Sequence, residues 1–255
     1  MDLGIAGRNA IVCASSKGLG RACARALARA GCRVVVSGRH RDVLKSTAAD
    51  IRAATGAEVV DVAGDLCDPE VREALLKACP QPDILVNNNG GPPRAPFDTL
   101  TREQILQGIE ANMLTPIALI QRVAPGMAQR RFGRIVNITS ASVRTPIAGL
   151  DVSSGARAGL TAFLASAARR FAKDNVTVNS IQPGIFDTDR IRETMSGHPG
   201  GEAGARAARE AAVPAGRLGS PEEFGALCAF LASAHAGYIV GQNILIDGGA
   251  FPGAF

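Results

Sequence analysis

The chain has 255 residues, 46% apolar and 20% charged, which is enough apolar side chain to close a core and too much for a disordered tract. Its net charge of +5 is spread along the chain and accompanied by only 4% aromatic residues, which argues against a nucleic-acid surface and leaves solvated basic residues or a local taste for a small anion. No apolar run approaches the roughly 20 residues of a membrane span, and Met1-Asp2-Leu3-Gly4 does not begin a basic-then-apolar leader, so a soluble, cytoplasmic protein is expected.

Asn9-Ala10-Ile11-Val12-Cys13 is a short apolar run that reads as a buried strand, and Arg21 to Ala30, rich in Ala and Leu, reads as a helix. Between them lies Ala14-Ser15-Ser16-Lys17-Gly18-Leu19-Gly20, a turn suited to phosphate. Gly18 and Gly20 remove Cβ atoms that would block a pyrophosphate, and the positive end of the helix faces it. Arg33 to Ser37 is a β-branched strand, followed by a helix over about Asp42 to Ala54 and a third strand from Glu58 to Val62. Asp68-Pro69-Glu70 opens the next helix with an N-cap, a first-turn proline and an acid near the positive end. Asp83 to Val86 is a fourth strand. Thr101-Arg102-Glu103-Gln104 is a capping box that starts a long helix to about Met127, which Pro116 is expected to kink. Arg134 to Ile138 is a fifth strand, Ser153 to Lys173 a helix and Val176 to Ile181 a sixth strand. Ser220-Pro221-Glu222-Glu223 caps another helix, and Asn243 to Ile246 is the last strand.

This alternation implies a single α/β domain with a doubly wound parallel sheet of about seven strands and helices on both faces. Ser196 to Ala215, rich in Gly, Ala and Arg, follows the sixth strand; a segment of about 187–217 is therefore expected to act as a lid over a ligand at the carboxyl ends of the strands. The six cysteines (13, 23, 32, 67, 79 and 228) form no Cys-x-x-Cys, with Cys13 expected in a strand and Cys23 and Cys228 on helices. They are expected to be reduced and packed as small apolar residues. The histidines are far apart and suggest no metal: His40 is a candidate for the ligand site, His198 and His235 for the surface.

Taken together, these motifs resemble those of the short-chain dehydrogenase/reductase family, in its 3-oxoacyl-acyl-carrier-protein-reductase-like form, over nearly the whole chain. Cys13 to Gly20 is similar to the family's Thr-Gly-x-x-x-Gly-x-Gly, Asp65-Leu66 to the acid beside the adenine, and Asn87-Asn88-Asn89-Gly90 to Asn-Asn-Ala-Gly. Asn112 falls at the structural Asn, Ser140 at the active-site Ser, and Pro183-Gly184 with Thr188 at the nicotinamide end. Gly241-Gln242 and Asp247-Gly248-Gly249 match the closing strand. The resemblance implies a Rossmann-type fold and a dinucleotide held by Ser15, Ser16, Lys17, Gly18, Leu19, Gly20, Arg39, His40, Asp65, Leu66, Asn88, Asn89, Gly90, Arg157, Pro183, Gly184, Ile185 and Thr188. It also implies a homodimer or homotetramer built through the long helices and the final strand, an interface that the apolar tail Ala250 to Phe255 would suit.

Charge then selects the cofactor. An NAD site ends the second strand with an acid; here Gly38-Arg39-His40-Arg41 follows that strand and Lys17 lies in the turn, which favours NADP(H). Ala14 replaces the family's first glycine, at a cost of about 1 kcal/mol if its φ is positive. The family's chemistry uses Tyr-x-x-x-Lys. In register with Ser140 this chain has Ser153 and Arg157 instead, and its one tyrosine, Tyr238, cannot be a shifted copy. The candidate catalytic set is therefore Asn112, Ser140, Ser153 and Arg157. A positioned general acid contributes roughly 10²–10⁴ in rate, so three readings stand open. They are an NADP(H)-linked oxidoreductase with non-standard proton delivery, a lyase or isomerase that stabilises an oxyanion, and an NADP-binding sensor. Arg94, Arg144 and Arg190, in loops directed at the substrate end, with Arg192 beside them, suggest a small anionic substrate.

Overall fold

The computed structural model describes residues 1–195 and 199–253; the expectations for His198 and for the end of the apolar tail lie outside the described residues. Seven strands are present: Asn9–Val12 (β1), Arg33–Gly38 (β2), Val59–Ala63 (β3), Ile84–Asn87 (β4), Gly133–Ile138 (β5), Val176–Pro183 (β6) and Asn243–Ile246 (β7). They form one parallel sheet in the order β3-β2-β1-β4-β5-β6-β7. The helices are Gly18–Arg29 (α1), Arg41–Thr55 (α2), Pro69–Ala78 (α3), Arg102–Ile109 (α4), Thr115–Gln129 (α5), Asp151–Phe171 (α6), Asp189–Glu193 (α7), Gly201–Ala211 (α8) and Pro221–Leu231 (α9).

Strand side chains alternate between two cores. Ala10 and Val12 of β1 join Val34 and Val36 of β2 in a cluster with α1, α2 and α9, whereas Ile11 and Val35 join one with α3, α5 and α6. Both faces of the strands are thus dry, as a parallel sheet requires. The capping residues act as their sequence suggests. Asp68 accepts from the Glu70 N–H at 2.8 Å, and Thr101 and Ser220 form capping boxes with Gln104 and Glu223.

One expectation is corrected. Cys13 lies one residue beyond β1, in the turn. The long helix expected over Thr101 to Met127 is interrupted by a π-helical turn, Glu110–Leu114, immediately before Thr115-Pro116. That turn carries Asn112.

The chain runs from β1 outward to β2 and β3, then returns to β4 on the other side of β1. Adjacent crossovers therefore leave on opposite faces, and a crevice opens beyond the carboxyl ends of β1 and β4. No helix among the described residues is long and apolar enough to cross a membrane.

Candidate functional site

A cleft of about 610 Å³ occupies that crevice. Its first wall is the turn after β1. The Cys13 N–H donates to the Val86 carbonyl at 2.9 Å, the Asn88 amide donates to the Ala14 carbonyl at 3.1 Å, and Ala14 itself takes φ 42°. An alanine in the left-handed region costs about 1 kcal/mol. Gly18 has φ 55°. A Cβ on Gly20 would lie 2.5 Å from the Ala14 carbonyl oxygen, so its glycine lets α1 close onto the turn rather than opening room for a ligand. Ser15 is fully buried, with its hydroxyl donating to Val12 O at 2.8 Å and accepting from the Ser37 N–H at 3.1 Å. Ser15 and Gly20, expected at the ligand, are instead the knot that shapes the turn; Ser16, Lys17, Gly18 and Leu19 line the cleft. No side chain caps α1, which leaves its first-turn N–H groups and positive end to the crevice.

The second wall is formed by Gly38, Arg39 and His40 with Gly64, Asp65 and Leu66. A Cβ on Gly38 would meet the Ser16 side chain at 3.0 Å, and the end of β2 carries no carboxylate that would repel a ribose phosphate. Arg39 lies in the cleft near Gly90 and pairs with no carboxylate among the described residues. Gly64, with φ 151°, packs under Val71 so closely that a Cβ would stand 2.4 Å away. This holds Asp65 and Leu66 at the rim. An uncapped helix end, an Arg39 that pairs with no carboxylate among the described residues, and glycines at the points of closest packing fit a phosphorylated dinucleotide.

The far end of the cleft is organised by Arg157 on α6. Its Nε donates to Ser153 Oγ at 3.2 Å, Nη1 to the Ile138 carbonyl at 2.6 Å and Nη2 to the Asn89 carbonyl at 3.2 Å. The guanidinium thus ties the ends of β4 and β5 to α6. Burial, and then the neighbouring Arg190, push its pKa down to about 10, so it remains a cation at neutral pH. Asn89 also donates from its amide to the Ala111 carbonyl at 3.0 Å, joining this network to the π-helical turn. Asn112 donates to the Gly108 carbonyl at 3.2 Å and keeps its own buried Oδ1 without a partner. Ser140 caps a short turn, its Oγ accepting from the Ser142 N–H at 3.1 Å.

Of the other expected residues, Asn88, Asn89, Gly90, Arg157, Pro183, Thr188 and Arg190 line the cleft, whereas Asn112, Ser140 and Ser153 are not on its surface. Gly184 packs against Asp247, where a Cβ would stand 2.6 Å away. Ile185 faces a separate cavity of about 190 Å³ with Phe186, Arg217 and Asp247. Arg144 is turned toward the last strand, donating to Gln182 Oε1 at 2.8 Å and to the Asn243 carbonyl at 3.1 Å; it does not join the cleft. Arg94 is exposed and also outside it. Lining residues that sequence reasoning missed include Ser37, Val43, Gly64, Gly91, Asp189 and Glu193. Gly91, next to Asn-Asn-Gly, was the one with a readable signal. Among the described residues no cluster of His, Cys, Asp and Glu could hold a metal.

Residues 13–250 match the family model described as enoyl-(acyl carrier protein) reductase. The 3-oxoacyl-[acyl-carrier-protein] reductase FabG of Vibrio cholerae is 36% identical over 74% of this chain and 77% of its own length. The NADPH-dependent reductase BacG of Bacillus subtilis is 33% identical over 76% of this chain and 78% of its own. Among solved structures, the L-sorbose reductase of Gluconobacter frateurii, complexed with NADPH and L-sorbose, superposes with a TM-score of 0.92 and 29% identity. That superposition covers 99% of this chain and all of the other.

Proposed function

The chain belongs to the short-chain dehydrogenase/reductase family, and from that premise we propose that it is an NADP(H)-dependent oxidoreductase acting on a small carbonyl or hydroxy compound, with proton delivery that does not use a phenol. The observation that carries the reading is the cleft, with the uncapped start of α1 at one end and the Arg157 cation at the other. The NADPH-linked relatives support the choice of cofactor. The first turn of α1 would hold the pyrophosphate. Arg39, with Lys17 and His40, would hold the ribose phosphate. Asp65, Leu66, Asn88, Asn89 and Gly90 would line the adenosine side, with Pro183 and Thr188 at the nicotinamide. When bound, the cofactor supplies or accepts a hydride.

The remaining chemistry falls to the chain. Reducing a carbonyl requires a proton for the oxygen. Ser153, buried behind Arg157, accepts its hydrogen bond, which leaves the hydroxyl proton free to pass to a substrate oxygen through a water of the cleft; bulk water returns it. Arg157 stays charged and stabilises negative charge growing on that oxygen without giving up a proton of its own. Asn112 and Ser140 would position this end, Asn112 through the π-helical turn that Asn89 grips. The segment 187–217, carrying α7 and α8, would close over the substrate. The exposed apolar residues Ile105, Leu106, Leu114 and Phe163 on or beside α4, α5 and α6 support self-association through these helices.

Calorimetric titration with NADPH and NADH, then anaerobic turnover with a panel of ketones and oxo acids, tests the reading. Binding of NADPH at least roughly tenfold tighter than NADH, with stoichiometric product and nucleotide oxidation, is expected. Binding of neither nucleotide overturns it. Product without nucleotide oxidation would turn the assignment to a lyase or isomerase, and tight binding without product to a sensor.

A further inference from the structure

Two cations at the substrate end of the cleft, Arg157 and Arg190, form no ion pair among the described residues. Arg157 is buried, and each of its protein partners is neutral: one hydroxyl and two carbonyls. Each of its terminal nitrogens keeps a second N–H. Arg190, on α7, lies against the segment that begins where Arg157 donates to Asn89. A Cβ at Gly91 would be 3.2 Å from both of its terminal nitrogens, and its contacts with the Gly91 and Pro92 carbonyls are long, at 3.4 Å. The two guanidinium groups are close enough for Arg190 to disfavour the charge on Arg157.

The acids of the same region are engaged elsewhere. Asp187 pairs with Arg192 at 2.9 Å and with Arg206 at 3.0 Å, Asp189 pairs with Arg192 at 3.4 Å, and Glu210 pairs with Arg206 at 2.8 Å. Neither Arg157 nor Arg190 forms an ion pair among the described residues, although Asp189 and Glu193 also line the cleft. A buried cation whose only charged neighbour is another cation is costly unless something negative completes the site.

We propose that the missing charge belongs to the substrate: the protein acts on an oxo acid whose carboxylate, one or two carbons from the reacting carbonyl, binds between Arg190 and Arg157. The assignment rests on the oxidoreductase reading and adds the substrate class to it. The short reach follows from geometry. Arg157 lines the cleft and stabilises the charge that grows on the reacting oxygen, so a carboxylate on its remaining N–H groups shares one guanidinium with that oxygen and lies within a few bonds of it. A carboxylate suits the site because its two oxygens can each take N–H groups from a guanidinium. Arg94 and Arg144, with their guanidinium groups outside the cleft or bonded elsewhere, take no part.

The test uses the full chain saturated with NADPH and two kinds of ligand. Oxamate, a non-reducible 2-oxo acid mimic, is titrated by calorimetry. 2-Oxobutanoate and its methyl ester are compared in turnover. Oxamate should bind and compete with 2-oxobutanoate, and the acid should exceed the ester in kcat/KM by at least roughly tenfold. Arg190→Gln should weaken oxamate binding by a similar factor and bring the acid-to-ester ratio toward unity. If the ester or simple ketones are reduced while oxamate fails to bind, or if Arg190→Gln leaves oxamate affinity unaltered, the carboxylate site is wrong and the oxidoreductase reading survives. If NADPH binds and no carbonyl compound is ever reduced, the reverse holds: the redox reading fails, and oxamate affinity alone still judges the carboxylate site.

Discussion

At one end of the cleft the protein presents backbone: the first turn of α1, glycines at closest packing, and a β2 terminus that carries no acid. At the other end the lining is set by side chains, with Arg157 at the surface, Ser153 behind it on α6 and Asn112 buried in a π-helical turn. The two ends differ in how they respond to substitution. A backbone site tolerates many side chains as long as the turn keeps its shape. A side-chain site changes its chemistry with a single residue while the fold stays the same.

The contrast can be broken most sharply from the chemistry end. Ser153→Tyr together with Arg157→Lys should raise kcat for ketone reduction by roughly 10²–10⁴, the usual contribution of a positioned general acid, with little change in NADPH affinity. Stopped-flow measurement of nicotinamide oxidation checks it, and no gain would mean that the remainder of that end is not arranged for hydride transfer. From the nucleotide end, Arg39→Glu should weaken NADPH binding by roughly 10–100-fold, the worth of one or two charge-assisted bonds, and leave NADH binding nearly as it was. Calorimetry with both nucleotides reads the difference.

Arg157→Met touches both ends, because Arg157 ties β4 to β5. It should lower stability by about 1–3 kcal/mol through three lost charge-assisted bonds, less whatever desolvation cost is relieved. Its pH dependence has a definite sign. The folded pKa, about 10, lies below the ordinary guanidinium value, so below about 10 both folded and unfolded chains are charged there and stability is flat with respect to this group. Above about 10 the folded chain gives up the proton first, and stability rises with pH until the unfolded chain titrates as well. Thermal melts of wild type and Arg157→Met across that window should diverge, with the variant lacking the contribution. Smallest of all, Ala14→Gly should relieve the left-handed alanine and stabilise the fold by up to about 1 kcal/mol, a rise of roughly 2–4 °C in Tm, reduced by the greater freedom of glycine in the unfolded chain.

Much of this architecture was legible before any coordinates. Strand alternation, the capping residues Asp68, Thr101 and Ser220, and the glycine turn each act over a few neighbouring residues, and local rules read them well. Expectations went astray where a residue's role depends on a distant partner. Ser15 looked like a ligand contact and is instead spent on Val12 and Ser37. Arg144 looked directed at the substrate and is held by Gln182 and Asn243.

The amino-acid order by itself determined the doubly wound sheet and the cation-rich second strand end, because periodicity, capping and residue identity are properties of short stretches of chain. Only the tertiary structure decided that Arg157 is buried among neutral partners, that Arg190 lines the same cleft, and that Asp187 and Asp189 pair with other arginines. Those facts rest on β4, β5, α6 and α7 meeting at one point, and electrostatic cost is set by distance and burial in space, which no local pattern encodes.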